Sequence, residues 1–353
     1  MLEATDTRWR LLRYEDWATP ADQTAQSPAA LYLLSPDGHV DKVSTPADPT
    51  AWYLLDWLPG TPLVIVRLTH DPLTRVIDLI SGTTVLTLSS GPWNARFVHD
   101  GTHDIIYSTG TTSGTDVQTV LHRVTTGGRA RATAPPFPAS FGTEQPWLLN
   151  PSGTAVLVND TTEPRLITST TFAPMSLPSP YPARPGACRA WRWVTDTEAL
   201  EECTTAGTHP FQLGEPSEFW LTTMGGGEPR RLSGLPSSDR LGGLWQVGSQ
   251  LVAGSFGPAE SEASWWEVRV GGVTPLSHGD PSDLVVVDVQ GSELIAILRT
   301  YDAERVRSVA SLVAIDPVRG ATRTLVSAAP AGASSFALEP SSSGLPPQTG
   351  TGD

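Results

Sequence analysis

The sequence predicts an all-β chain, a seven-bladed β-propeller of four-stranded antiparallel blades. Three observations carry this. Short apolar strings recur along the 353 residues, each closed by a tight-turn signal. The repeat is about 40 to 50 residues, the length of one propeller blade. No segment sustains a 3.6-residue apolar period, so almost no helix is expected.

Each repeat begins with an anchoring apolar residue, a turn and a second apolar strand. Trp57 opens WLPGTPLVIVR, Phe97 opens FVHDGTHDIIYS and Leu149 opens LNPSGTAVLVN. Trp193 opens WVTDTEALEEC, Trp245 opens WQVGSQLVAGS and Val287 opens VDVQGSELIAIL. Phe336 opens a seventh, FALEPSSSG, which stops at its turn. The spacings are 40, 52, 44, 52, 42 and 49 residues, as connections of varying length on a constant unit would give. A second set of seven hairpins, from LYLLSPDGHVDKVS at Leu31 to SLVAIDPVRGATRTLV at Ser311, interleaves with the first. Gly, Asp and Ser at the turns supply the conformations that tight hairpins need.

One domain is expected over residues 1–340, with blades near 51–88, 95–133, 146–177, 188–232, 243–277 and 284–326. The last blade takes its innermost strand from 335–340 and its other three from 9–45, which joins the chain ends across one sheet and protects edges otherwise free. Residues 341–353, rich in Pro, Ser and Gly, are expected to be a disordered tail.

Composition removes several functions. Gly and Pro number 32 each, about 18% together against roughly 12% in average chains, and they punctuate apolar runs rather than cluster. A net charge of −14 and no basic patch argue against nucleic acid. No apolar run is long enough to span a membrane. Lys42 is the only lysine among 23 basic residues, a bias of G+C-rich genomes that suggests a bacterial source.

The turns SPDG at Ser35–Gly38, HDG at His99–Gly101 and NPSG at Asn150–Gly153 resemble those of TolB-type, WD-repeat-like propellers. SPDG falls on the second hairpin, whereas that family usually places it on the first. The resemblance implies a propeller that docks proteins or ligands.

Six of the twelve tryptophans, Trp52, Trp57, Trp147, Trp191, Trp193 and Trp245, lie on or beside first strands, where packing between blades is the expected role. Cys188 and Cys203 flank a hairpin whose midpoint is Thr195–Asp196. They fall roughly opposite each other, compatible with a disulfide if a bulge or one-residue slip is allowed. The alternative is two small buried residues. A disulfide would argue for an oxidising compartment. MLEATDTRWR has no charged leader followed by an apolar stretch, which gives the cytoplasm by default, or export if a leader or anchor precedes it.

HDGTHD, His99–Asp104, pairs two His with two Asp, but no third or fourth ligand is predictable nearby and the turn reading is preferred to a metal site. Asn159–Thr161 forms a formal glycosylation sequon. No glycine run opens a helix and no GxSxG elbow occurs, so no cofactor is expected.

Blade-to-blade connections and second-to-third-strand loops emerge on one face, and these are the long, proline-rich segments, 108–116 and 255–264 among them. Trp93, Phe137, Phe141 and Tyr181 stand there among Arg184, Asp239, Arg240, His278 and Asp280. Exposed aromatics with Arg are the usual composition of binding hot spots. The expectation is a monomeric, non-catalytic binding propeller whose loop face meets a protein, a small molecule or a glycan. Two alternatives stand beside it. One is a glycan lyase or hydrolase with Asp239, Asp280 or Asp283 converging near the axis. The other is the sensor domain of a membrane-anchored protein.

Overall fold

The computed structural model describes residues 2–5, 9–17, 29–36, 39–49, 52–68, 71–88, 95–113, 116–138, 146–159, 164–175, 188–204, 217–224, 227–235, 241–255, 264–269, 272–276, 283–301, 308–326 and 333–338. Among them there is no α-helix, and Leu2–Ala4 forms a 3-10 turn.

The chain begins with β1 (Arg10–Trp17), β2 (Ala29–Leu34) and β3 (Val40–Val43). The last strand, β28 (Ala333–Leu338), pairs with β1 from Leu12↔Leu338 to Trp17↔Ala333, so both ends of the chain build one blade. The innermost strand therefore starts two residues earlier than the sequence suggests. We call this blade 7. Blade 1 holds β4 (Trp52–Trp57), β5 (Leu63–Leu68), β6 (Asp71–Asp78) and β7 (Thr83–Leu88). Blade 2 holds β8 (Ala95–Phe97), β9 (Ile105–Ser113), β10 (Asp116–Val124) and β11 (Ala130–Thr133).

Blade 2 gains a fifth strand. β12 (Phe137–Pro138) pairs with Gln118 and Thr119 of β10 beyond the end of β11. In blade 3 the described residues form three strands, β13 (Trp147–Leu149), β14 (Ala155–Asn159) and β15 (Pro164–Thr168), and at the fourth position a single bridge, Ile167↔Pro174. On either side of that bridge the Thr168 N–H donates to the Ala173 carbonyl and the Met175 N–H donates to the Leu166 carbonyl, so Pro174, which has no N–H, sits where the edge asks for none.

Blade 4 comprises β16 (Cys188–Trp193), β17 (Glu198–Thr204), β18 (Ser217–Thr223) and β19 (Arg230–Leu232). Blade 5 comprises β20 (Leu241–Val247), β21 (Gln250–Ser255), β22 (Ser264–Arg269) and β23 (Gly272–Pro275). Blade 6 comprises β24 (Asp283–Gln290), β25 (Glu293–Tyr301), β26 (Ser308–Asp316) and β27 (Ala321–Val326). The result is a seven-bladed β-propeller, all-β, with every described strand pair antiparallel.

The core is a ring of layers between neighbouring blades. Leu11, Leu31 and Leu33 of blade 7 meet Trp52, Leu54 and Trp57 of blade 1. Leu55, Ile65 and Val76 meet Phe97 and Ile105 of blade 2. Ile106 and Leu121 meet Trp147 and Val156 of blade 3, and Leu148 and Leu157 meet Ala190 and Trp193 of blade 4. Phe219 and Leu221 meet Leu244 and Ala253 of blade 5, and Trp245 and Trp265 meet Val286 and Leu294 of blade 6. Ile295 and Leu312 then meet Leu12 and Leu34, which closes the circle. Of the six tryptophans assigned to packing, Trp52, Trp57, Trp147, Trp193 and Trp245 are buried and Trp191 is half-buried.

Four innermost strands are bulged, at Leu54/Asp56, Ala190/Arg192, Leu241/Gly243 and Val286/Asp288. A bulge lets two consecutive residues face the same side. In blade 1 it turns both Leu55 and Asp56 toward blade 2; in blade 4 it turns both Trp191 and Arg192 toward blade 5. Asp56 spends its two oxygens on backbone donors, the N–H of Trp57 at 2.9 Å and that of Phe97 at 2.7 Å. Arg96 donates back across the same gap to the Leu55 carbonyl. Burial pushes the Asp56 carboxyl up to about 7, against the pull of Arg96, these two N–H groups and Arg10.

The other blade junctions use polar stitches as well. Asn159 accepts the Ala190 N–H at 2.7 Å and donates to the Ala190 carbonyl at 2.9 Å, while Trp193 donates to the Leu148 carbonyl at 3.1 Å. The Asn of the formal sequon is thus buried and committed to structure. At the first turns, Gly101 and Gly153 adopt φ of +85° and +72°. A Cβ on Gly153 would stand 2.6 Å from the His99 nitrogen, so glycine is required where the NPSG turn of blade 3 approaches the HDG turn of blade 2.

Candidate functional site: the loop-bearing face

Strand order decides what each face carries. In every blade the first-to-second and third-to-fourth turns lie on one face, which we call the turn face. There the connections run from two residues, as at 248–249 and 291–292, to seven at 98–104. The opposite face receives the blade-to-blade connections and the second-to-third-strand connections. These reach 11 residues at 18–28, 12 at 205–216 and 13 at 175–187, after the bridge at Pro174.

HDGTHD belongs to the turn face and is a structural junction. The Asp100 carboxylate accepts from the Thr102 N–H at 3.0 Å and from Arg123 at 2.8 Å. Arg123, which is buried, also donates to Asp104 at 2.8 Å and to the Ser169 carbonyl of blade 3 at 3.1 Å. Burial works to raise the Asp100 carboxyl, but the bonds from Thr102 and Arg123 outweigh it and hold the group below its ordinary range. Among the described residues no cluster of three His, Cys, Asp or Glu side chains is arranged to hold a metal ion.

Of the residues expected on the loop-bearing face, the structure places Phe137. It is buried at 3% exposure, packed with Trp147, Leu121 and Phe172 between blades 2 and 3, with Arg165 at 6.0 Å over its ring. Its strand β12 folds back onto β10, which turns the ring inward and removes it from any exposed surface. Trp93, Phe141, Tyr181, Arg184, Asp239, Arg240, His278 and Asp280 lie outside the described residues. Asp283 opens β24 opposite Arg299.

The expected loop at 108–116 is a second correction. β9 and β10 run nine residues each and join through 114–115, so a ladder from Ile105↔Val124 to Ser113↔Asp116 replaces the loop. The Thr-rich, β-branched sequence IIYSTGTTSGTDVQTV suits a hairpin better than its glycines suggest. On this hairpin Tyr107 stacks on His122 with ring centroids 5.0 Å apart, and Thr109 Oγ1 lies 2.9 Å from His122 Nε2. Burial holds His122 below its usual pKa, so the ring is neutral near pH 7.

Blade 4 carries the best-defined part of the rim. Cys188 and Cys203 are direct register partners at the loop-face ends of β16 and β17, and they are joined by a disulfide with a Cα–Cα distance of 4.1 Å. The bulge at Trp191 supplies the slip that brings them opposite. Next to the bridge, Arg189 pairs with Glu202 at 2.7 Å, and on the outer strands Arg231 pairs with Glu218 at 2.7 Å. Sequence reading anticipated the bridge but missed both ion pairs, because no pattern in one chain announces a cross-strand charge partner. On blade 1, Tyr53 stands 36% exposed near the loop-face end of the innermost strand.

This geometry defines a seven-bladed propeller with a closed turn face and a face of long connections. No protein-family model and no curated protein sequence matches the chain. Solved structures match it in fold. An acylaminoacyl peptidase from Pyrococcus horikoshii is similar at 12% identity and a TM-score of 0.55, over 90% of this chain and 51% of that one. The propeller domain of the Trilobed protease from Pyrococcus furiosus, described as having an open velcro topology, is similar at 10% identity and a TM-score of 0.53, over 91% and 94% of the two chains. A putative 6-phosphogluconolactonase from Bacteroides uniformis matches at 11% identity and a TM-score of 0.52, over 93% and 99%. The chain spans about half the length of the acylaminoacyl peptidase. Identities this low establish a shared propeller fold alone.

Proposed function

We propose that the chain is a recognition module that holds a protein or a small ligand, glycans included, on its loop-bearing face. The asymmetry of the connections carries this reading: turns of two to seven residues on one face, connections of up to 13 on the other. Ladders and filled interblade layers explain the short turns. Folding alone does not require long connections, and binding residues tend to sit on loops above a rigid scaffold. Those connections hold Trp93, Phe141, Tyr181, Arg184, Asp239, Arg240, His278 and Asp280, aromatic and charged groups together. The net charge of −14 favours a neutral or basic ligand.

The Cys188–Cys203 disulfide is compatible with an extracytoplasmic location, and we place the working compartment there. No helix among the described residues is long and apolar enough to cross a membrane.

Capture from extracts of the source cells tests the reading. The unmodified chain, a loop-face variant (Tyr181→Ala with Arg184→Ala) and a turn-face variant (Ile80→Ser) are compared, with bound proteins and small molecules both identified. The reading expects one partner retained by the first and third and lost from the second. A partner lost only from the turn-face variant would overturn it.

A further inference from the structure

We propose that the Cys188–Cys203 bridge is a reducible clamp on the loop-bearing face, and that the ring stands without it. This inference takes the recognition face as its setting, but it is tested without any ligand.

The bridge joins residues that the sheet already holds together. Cys188 and Cys203 are opposed in a ladder that continues through Arg189↔Glu202 and Ala190↔Glu201 to Trp193↔Ala199. Away from the bridge, β16 is fixed to blade 3 by both amide atoms of Asn159 and by the Trp193 indole. It is fixed to blade 5 by Arg192, whose guanidinium lies 5.3 Å over the Trp245 ring. β17 is fixed to β18 along seven pairs, from Glu198↔Thr223 to Thr204↔Ser217. None of these links passes through sulfur.

The bridge does control the ends of the two strands. Cys188 is the first residue of β16 and Cys203 the penultimate residue of β17. Two long connections of the loop-bearing face, 175–187 and 205–216, run into the first and out of the second. A covalent tie there sets where both connections leave the scaffold and how far apart their roots can move.

Both cysteines are buried, Cys203 completely and Cys188 to 7% exposure, so attack falls on Cys188, the less buried of the two. A dithiol reductant supplies both electrons. Its first thiolate bonds to Cys188 Sγ and the S–S pair departs on Cys203 Sγ, which takes up a proton. Its second thiolate then displaces Cys188 Sγ, which is protonated in turn, and the reductant leaves as its own disulfide. Two thiols remain in the chain, and an oxidant of the disulfide class restores the bridge by the reverse steps.

Native-state hydrogen exchange of the full chain tests the clamp, before and after dithiothreitol, with Cys188→Ser/Cys203→Ser as a permanently open control. The expected result is two thiols titrated without denaturant, and exchange faster by about tenfold or more at Cys188–Ala190 and Glu201–Thr204, with Trp193, Ala199 and the other blades unchanged. Acceleration throughout blade 4 would make the bridge a strut of the fold, and no acceleration would make it inert. A bridge that yields only in denaturant would also overturn the proposal. Since no ligand enters the measurement, its failure leaves the recognition reading untouched, and loss of partner capture leaves the clamp untouched.

Discussion

Asp56, on the innermost strand of blade 1, accepts the backbone N–H of Phe97 on the innermost strand of blade 2 at 2.7 Å, with no water-exposed surface between them. A carboxylate thus does in this gap what a ladder hydrogen bond does within a blade. It is buried to do so, and burial sets its acid–base behaviour.

The carboxyl titrates near 7 in the fold and near 3.8 outside it. A folded-state value raised above the unfolded one gives a contribution that is complete below pH 3.8 and vanishes as pH rises through 7. Between pH 5 and 7.5 Asp56 should therefore remove about 2–3 kcal/mol. Asp56→Asn abolishes this slope and leaves one of the two N–H groups unpaired, a loss of about 1–3 kcal/mol at neutral pH. Urea unfolding of both proteins at the two pH values checks it; parallel profiles would contradict the prediction.

Arg123 ties the HDGTHD turn to blade 3. Arg123→Met leaves Asp104 buried, with Arg131 at 3.7 Å as its remaining cation, and should cost about 3–5 kcal/mol. Asp100, held below the ordinary carboxyl range, contributes stability that is present above that range and lost as pH falls through it. The variant should show a weaker acid slope, because Thr102 still holds Asp100 while the Arg123 share is gone. Equilibrium unfolding from pH 6 down to the acid transition measures both effects.

Phe137→Ala separates a packing role from a binding role. Buried between blades 2 and 3, the ring should be worth about 3–5 kcal/mol of stability. A ring on the loop-bearing face would leave the melting temperature nearly unchanged. Differential scanning calorimetry decides.

Much of the architecture is written locally. Turn residues at fixed offsets mark the hairpins, and anchors such as Trp57 and Trp193 reveal the first strands, because a strand and its turn are neighbours in sequence. The misreadings share a cause. Phe137 sits in a proline-laced run that looks like a connection, and only its pairing with Thr119 makes it a strand. The fourth position of blade 3 is held, among the described residues, by a single bridge at Pro174, a shortening that its apolar residues do not announce. Arg123 finds Asp104 and Asp100 at separations of 19 and 23 residues, distances at which no local pattern reports a partner. Of the recognition face, the Cys188–Cys203 staple was legible because a hairpin places its flanks opposite each other. The connections are legible as length and composition only.

The account rests on a ring closed by β28 against β1, since the interblade layers and the face they support depend on it. Deleting 333–353 removes the six register pairs from Leu12↔Leu338 to Trp17↔Ala333 and bares the inner edge of blade 7. Calorimetry of the truncated chain should show a melting temperature lower by about 7 °C or more, as the loss of roughly 5 kcal/mol would give in a chain of this size. A melting temperature equal to that of the full chain would mean that the ring closes without this strand.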